Sequence, residues 1–307
     1  MHDRSSAAVA ERASPLATVE RVPAPLLALL AIISVQLGAA LSTELFSAVG
    51  PAGTVFLRMT AGALILVAVH RPTLRGRSRR ELAYAVALGA TTGAMTVLFL
   101  EAVARIELGT VVAIEFLGPL GVAVIGTRSL RRLVWPALGL GGVLLLTQPW
   151  SGHADAVGIL LAAGAGFGWG VYILLTARVG DRFEGIEGLS VTIPIAAGVA
   201  AIFGLPQAAG HITIDVLLAA AGLALLQPIA VFGLEMLALR RITTSAFGTL
   251  MALEPGVALL VGALLLSQLP TAGQVAGIAL VVAAGIGAAR GGAREPATGH
   301  PHADLPA

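Results

Sequence analysis

Two glutamates end near-copies of one phrase. Glu115 closes Gly109-Thr110-Val111-Val112-Ala113-Ile114-Glu115, and Glu254 closes Gly248-Thr249-Leu250-Met251-Ala252-Leu253-Glu254. Both phrases lie in apolar runs long enough to cross a bilayer. A charge near the centre of such a helix costs about 2.5–3.5 kcal/mol on insertion scales. A carboxyl group placed there twice, in the same setting, asks for a function. At that depth it can exchange protons and hold cationic groups, which is the chemistry of a polar transport site. Pro119 lies four residues after Glu115, and Pro255 directly follows Glu254. Proline has no N–H, so the carbonyls of Glu115 and Met251 lose their helical donors. In lipid such a carbonyl needs either a neighbouring helix or a water-lined cavity.

Arg58 is the cation expected to partner Glu115. Counted from the same membrane surface, the two lie about 9 and 8 residues deep, or roughly 12–14 Å at 1.5 Å per residue. Equal depth permits an ion pair, whether it serves a substrate or only pins two helices. Gln36 is a polar residue within the first run, able to meet substrate or to bond across helices. Trp169 and Tyr172 share a helical face at i, i+3 and suit a lid, a cation platform or core packing. Trp135 and Trp150 bracket one run and read as interfacial anchors. Glu44, Glu101, Glu107 and Glu235 fall near run ends, where water solvates them. Glycines at 89 and 93, 164 and 168, 166 and 170, and 273 and 277 have the spacing of close helix contacts. The six histidines show no metal-ligand spacing within a run, and there is no cysteine. No phosphate-binding loop, HExxH or nucleophile elbow occurs. No cofactor or metal is expected.

The elements that must position these residues follow from composition. The chain has 307 residues, 57% hydrophobic and 12% charged, with a mean hydropathy of +0.90. Soluble domains are nearer 45–50% apolar and about 25% charged, so this is a polytopic membrane protein. Ten apolar runs are expected at 24–43, 48–70, 82–101, 107–127, 132–149, 155–178, 188–206, 213–237, 244–267 and 271–289. Each is near the ~20 residues that span the hydrocarbon core. Polar tails at 1–22 and 290–307 read as disordered. All 19 basic residues are arginine, and 17 of them fall in the tails and loops of one membrane side. That places both termini in the cytoplasm. Arginines scattered over short loops argue against nucleic-acid binding, despite a pI of 9.9.

The phrase repeat then acquires a topology. Leu100-Glu101 matches Leu234-Glu235, and Gly109–Glu115 matches Gly248–Glu254. The offset is about one five-span unit. Five is odd, so the second unit enters the membrane from the opposite side, as in secondary transporters built from inverted repeats. The expected fold is an all-α membrane protein of ten transmembrane helices in two inverted five-helix repeats, 24–149 and 155–289.

The segments Ala113-Ile-Glu-Phe-Leu-Gly-Pro-Leu120, Trp169-Gly-Val-Tyr-Ile-Leu174 and Phe247-Gly-Thr-Leu-Met-Ala-Leu-Glu-Pro255 resemble the drug/metabolite transporter superfamily with tandem EamA-type repeats. Within it the chain looks like the bacterial threonine/homoserine exporter branch. Val35-Gln36 and Leu57-Arg58 add to the likeness. Ser267-Gln268 departs from it, because members often carry Gly-Glu there. The resemblance implies a multi-pass inner-membrane carrier, monomer or homodimer, that exports small amino acids by proton antiport. Charge placement, rather than the resemblance, suggests the roles: Arg58 would take the substrate carboxylate, and Glu115, Glu254 and Trp169 the ammonium. Tyr172 and Gln36 would complete the site. Rival readings are export of other metabolites or cationic drugs, an intramembrane enzyme, and a passive scaffold.

Overall fold

The computed structural model describes residues 22–72, 77–124, 133–148, 155–179, 186–239, 241, 247 and 250–291. Most of both tails, Trp150, His153, Gly248, Thr249 and the loop arginines Arg75, Arg128, Arg131, Arg132, Arg182 and Arg240 lie outside them. Helices and turns make up the described chain, with no strand among the described residues. The first half holds α1 (Ala24–Ser42), α2 (Phe46–Val69), α3 (Arg79–Val103), α4 (Leu108–Glu115), α5 (Leu117–Val124) and α6 (Val134–Thr147). The second holds α7 (Ala156–Val179), α8 (Ile186–Ala208), α9 (Ile214–Ala224), α10 (Val231–Leu239), α11 (Glu254–Leu265) and α12 (Ala272–Gly291). Six helical stretches are long and apolar enough, by length and composition, to cross a membrane; the first, Ala24–Val69, contains both α1 and α2. The α4–α5 segment, α6 and α11 are shorter apolar pieces. Each expected run therefore contains described helix.

Local chemistry explains several ends. Ser78 caps α3: its Oγ accepts the Glu81 N–H at 3.2 Å, while Glu81 Oε2 accepts the Ser78 N–H at 2.8 Å, a reciprocal capping box. Thr213 Oγ1 accepts the Val216 N–H at 3.3 Å and starts α9. The α4 start is capped from across the fold, because Gln268 Oε1 accepts the Leu108 N–H at 3.0 Å. The preceding Ser267 holds φ 56°, where a glycine would sit without strain. The amide of Gln268 thus supplies the acceptor that caps α4.

Four interruptions shape the helices. Gly50 at φ 71° lets the chain turn before Pro51 inside α2. There Gln207 Oε1 of α8 accepts the N–H groups of Ala52 at 2.9 Å and Gly53 at 3.2 Å. Gln207 Nε2 in turn donates to Glu101 Oε1 at 2.9 Å. A wider π-type turn, Leu225–Ala230, separates α9 from α10 and carries non-helical Gln227 before Pro228. The third interruption is at Phe116, between α4 and α5, and the fourth at Ala252-Leu253, before α11.

The halves are interleaved. α1 packs on α10, α2 on α8, α3 on α7 and α8, α4 on α11, and α6 on α12. The largest core cluster draws on Ala39, Val55, Leu100, Val111, Ala162 and Ile193, among others. Many large apolar side chains point outward, including Leu64, Leu160, Phe167 and Leu264, a surface suited to acyl chains.

Small residues set the spacing. A Cβ on Gly93 would stand 2.5 Å from the Ala196 carbonyl oxygen, and one on Gly118 1.9 Å from that of Gly166. The helices touch backbone to backbone at these points, as the glycine spacing predicts. Gly121, one turn beyond Gly118, has open space around its Cβ direction. Gly118→Ala should therefore destabilise the protein by about 1–3 kcal/mol, and Gly121→Ala should leave it unchanged, as read by thermal unfolding in detergent.

Candidate functional site

Three of these interruptions, all but the one at Gly50, border a cavity. Its volume is about 160 Å³, roughly ten times the space that a single water needs. Walls come from both halves: α1, α2, α3 and α4 on one side, and α7, α8, the Leu225–Ala230 turn, α10 and α11 on the other.

Both repeated glutamates line it. Glu115 is the last residue of α4 and Glu254 the first of α11. Each carboxyl group thus leaves the backbone where the helix is broken. Pro255 sits in the first turn of α11, where a missing N–H costs nothing. Pro119 falls in the first turn of α5, three residues past the break at Phe116. The α7 backbone closes against this joint: a Cβ on Gly166 would meet the Glu115 carbonyl oxygen at 2.8 Å.

Gln36 is fully buried and bonds across helices, its Nε2 donating to Glu254 Oε1 at 3.1 Å. It backs the wall rather than forming it. Trp169 and Tyr172 both face the cavity, and Trp169 packs edge-on against Phe116, ring centroids 6.1 Å apart. The tryptophan is therefore lining and packing residue at once.

Two expectations are revised. Glu235 is not a solvated helix end: it lines the cavity and stands within Coulombic range of Glu254, which also interacts with Glu115. Arg58 does not pair with Glu115. It is 1% exposed, its Nη1 donates to Ser42 Oγ at 3.2 Å, and it is absent from the cavity wall. Equal counted depth was thus not a sufficient guide to contact. Trp135 packs with Leu120, Ala284 and Ala288.

Thr92 and Thr96 were not evident from sequence. Their hydroxyls donate to the carbonyls of Leu88 and Thr92, each at 2.8 Å. With those protons committed to α3, each threonine offers the cavity only lone pairs. Three carboxyl groups and two such hydroxyls make the wall rich in acceptors, and no Arg or His is among the described lining residues. Like charges gathered in so small a space repel, and a proton or an ammonium group relieves that repulsion. Among the described residues no cluster could hold a metal ion.

Because the chain has no native cysteine, single cysteines report on this space cleanly. Thr96→Cys should react with a small hydrophilic thiol reagent. Ala113→Cys, in the packed core with 0% exposure, should not; equal labelling of both would contradict a hydrated cavity.

Comparisons with known proteins agree with this architecture. Residues 156–289 match the EamA-like transporter family. The threonine/homoserine exporter RhtA of Salmonella typhimurium (strain SL1344) is 35% identical over 275 residues, covering 88% of this chain and 92% of that protein. RhtA of Escherichia coli (strain K12) is 35% identical over 269 residues, 84% of this chain and 88% of that one. A crystal structure of a protein 20% identical in sequence superposes with a TM-score of 0.58, covering 87% of this chain and 96% of that one.

Proposed function

Because the chain belongs to the EamA-like transporter family, we propose that it exports small amino acids of the threonine/homoserine type across the bacterial inner membrane in exchange for protons. It is a multi-pass membrane transporter, not an enzyme. The observation that carries the substrate reading is the acceptor-lined cavity at the broken helices, where Glu115, Glu235 and Glu254 converge. An ammonium group fits such a wall, and so does a proton. Alternation between the two gives antiport: protons from outside discharge the carboxyl groups, and substrate ammonium from the cytoplasm replaces them. Relatives of the same length named as threonine/homoserine exporters support the amino-acid assignment.

The proposed architecture is ten spans in two inverted five-span repeats, 24–149 and 155–289, with both termini cytoplasmic. Helix pairing supports it: α1 with α10 mirrors α3 with α7, while α2–α8, α4–α11 and α6–α12 each join corresponding spans. Such a pseudo-two-fold arrangement puts the cavity between the repeats, where rocking of one bundle against the other would expose it alternately.

A second reading, export of cationic metabolites or drugs, is favoured by the lack of a described cation in the wall. Proteoliposomes loaded with labelled threonine or homoserine distinguish the two. Wild type should release either amino acid faster with an inward proton gradient. Glu254→Gln and Glu115→Gln should each reduce that flux by about a hundredfold, within the range seen when a single proton-transferring side chain is removed. Release of organic cations alone would favour the second reading, and undiminished flux in both variants would remove the carboxyl groups from the mechanism.

A further inference from the structure

Arg58 is a buried cation with no anionic partner among the described residues. Its guanidinium carries a permanent charge and five N–H donors. The structure gives it one neutral acceptor, Ser42 Oγ at 3.2 Å, and that hydroxyl is itself spent on the Gly38 carbonyl at 2.5 Å. Its Nε has no partner, and no carboxylate lies within ion-pair distance among the described residues. An arginine that serves only to pin helices is held by a carboxylate or by several carbonyls, because an unpaired charge in a protein interior is strongly unfavourable. This side chain is instead left ready for an anion.

Its place next to the cavity suggests which anion. Arg58 directly precedes Met59, which lines the cavity. Ser42 lies six residues beyond Gln36 on α1, about 9 Å along the helix axis. In an α-amino acid only two bonds of about 1.5 Å separate the ammonium nitrogen from the carboxyl carbon. The glutamate-lined cavity and the Arg58–Ser42 site are therefore successive stations rather than the two ends of one pocket. The cavity, rich in acceptors, matches the ammonium and leaves the carboxylate unmatched.

We propose that Arg58 and Ser42 form a separate carboxylate-binding station on the Ser42 side of the cavity, which takes the carboxylate of the transported amino acid as it leaves the glutamates. The proposal rests on the amino-acid exporter reading above. It also assigns the discrimination between amino acids and simple amines to this station, since the cavity alone would accept either.

The test compares threonine with its decarboxylated amine, 1-aminopropan-2-ol, in proteoliposomes containing wild type, Arg58→Met, Arg58→Lys or Glu254→Gln. Arg58→Met should lose threonine flux by about tenfold or more, the size of one hydrogen bond to a charged group, while flux of the amine is unchanged. Arg58→Lys should restore part of the threonine flux. Glu254→Gln should lose both. The thermal midpoint of Arg58→Met in detergent should equal or exceed that of wild type, because an unpaired buried charge is gone. Equal losses of threonine and amine in Arg58→Met overturn the station, as does unchanged threonine flux. A lowered midpoint with unchanged selectivity makes Arg58 a structural pin and also overturns it. If wild type does not carry the amine, the Met and Lys variants decide on threonine alone: loss with partial recovery supports the station, and equal fluxes overturn it. Wild type that carries no amino acid sinks the exporter reading itself, whereas normal wild type with an indifferent Arg58→Met sinks only the station.

Discussion

A carboxyl group among acyl chains has nothing to accept from, so protein must enclose it. That requirement accounts for most of the architecture. Glu115 and Glu254 both emerge at helix interruptions, where the backbone no longer satisfies itself and a small cavity takes the carboxyl groups. Helices of both halves wall that space, and interleaving of the two halves is what lets them do so. Neither half alone supplies the wall. α4 brings one glutamate, while α10 and α11 bring the other two.

Enclosure demands close approach, and here the glycines act. At Gly93 the α3 backbone rests on the α8 carbonyl of Ala196, and at Gly118 and Gly166 the α5 and α7 backbones meet. Without apolar driving force between helices in lipid, such contacts and cross-helix hydrogen bonds hold a bundle together. Gln36 on Glu254 and Gln268 on the Leu108 amide are bonds of this kind. Each joins one half of the chain to the other.

Sequence revealed the glutamates because type, depth and phrase coincide in two places. It revealed the apolar runs, each of which holds described helix, because hydropathy is a one-dimensional signal and lipid imposes it strongly. Facing is another matter. Residue counting gave Arg58 and Glu115 the same depth, yet Arg58 bonds Ser42 while Glu115 lines the cavity, and counting along a run carries no information on how helices face one another. Glu235 was obscured for the opposite reason. Its repeat counterpart Glu101 does sit near a helix end, bound to Gln207, and Arg240 lies five residues on. The turn at Gln227-Pro228 makes α10 a short separate helix whose inner face carries Glu235 to the cavity. A proline inside the eighth run was the available signal. Thr92 and Thr96 left no such trace, since threonine is common in any span and its hydroxyl bonds to its own helix as a matter of course.

The Gln207 amide bears on biogenesis. It accepts from Ala52 and Gly53, which precede it by 155 and 154 residues. A ribosome delivers α2 well before α8, so this pair of peptide hydrogens awaits its acceptor while the intervening chain is made. Gly50 and Pro51 prevent the local helix from supplying a substitute. The early membrane-inserted product is thus unfinished at this point, and a late helix completes it. Truncation after α6 would leave a fragment with an open joint, not a small carrier.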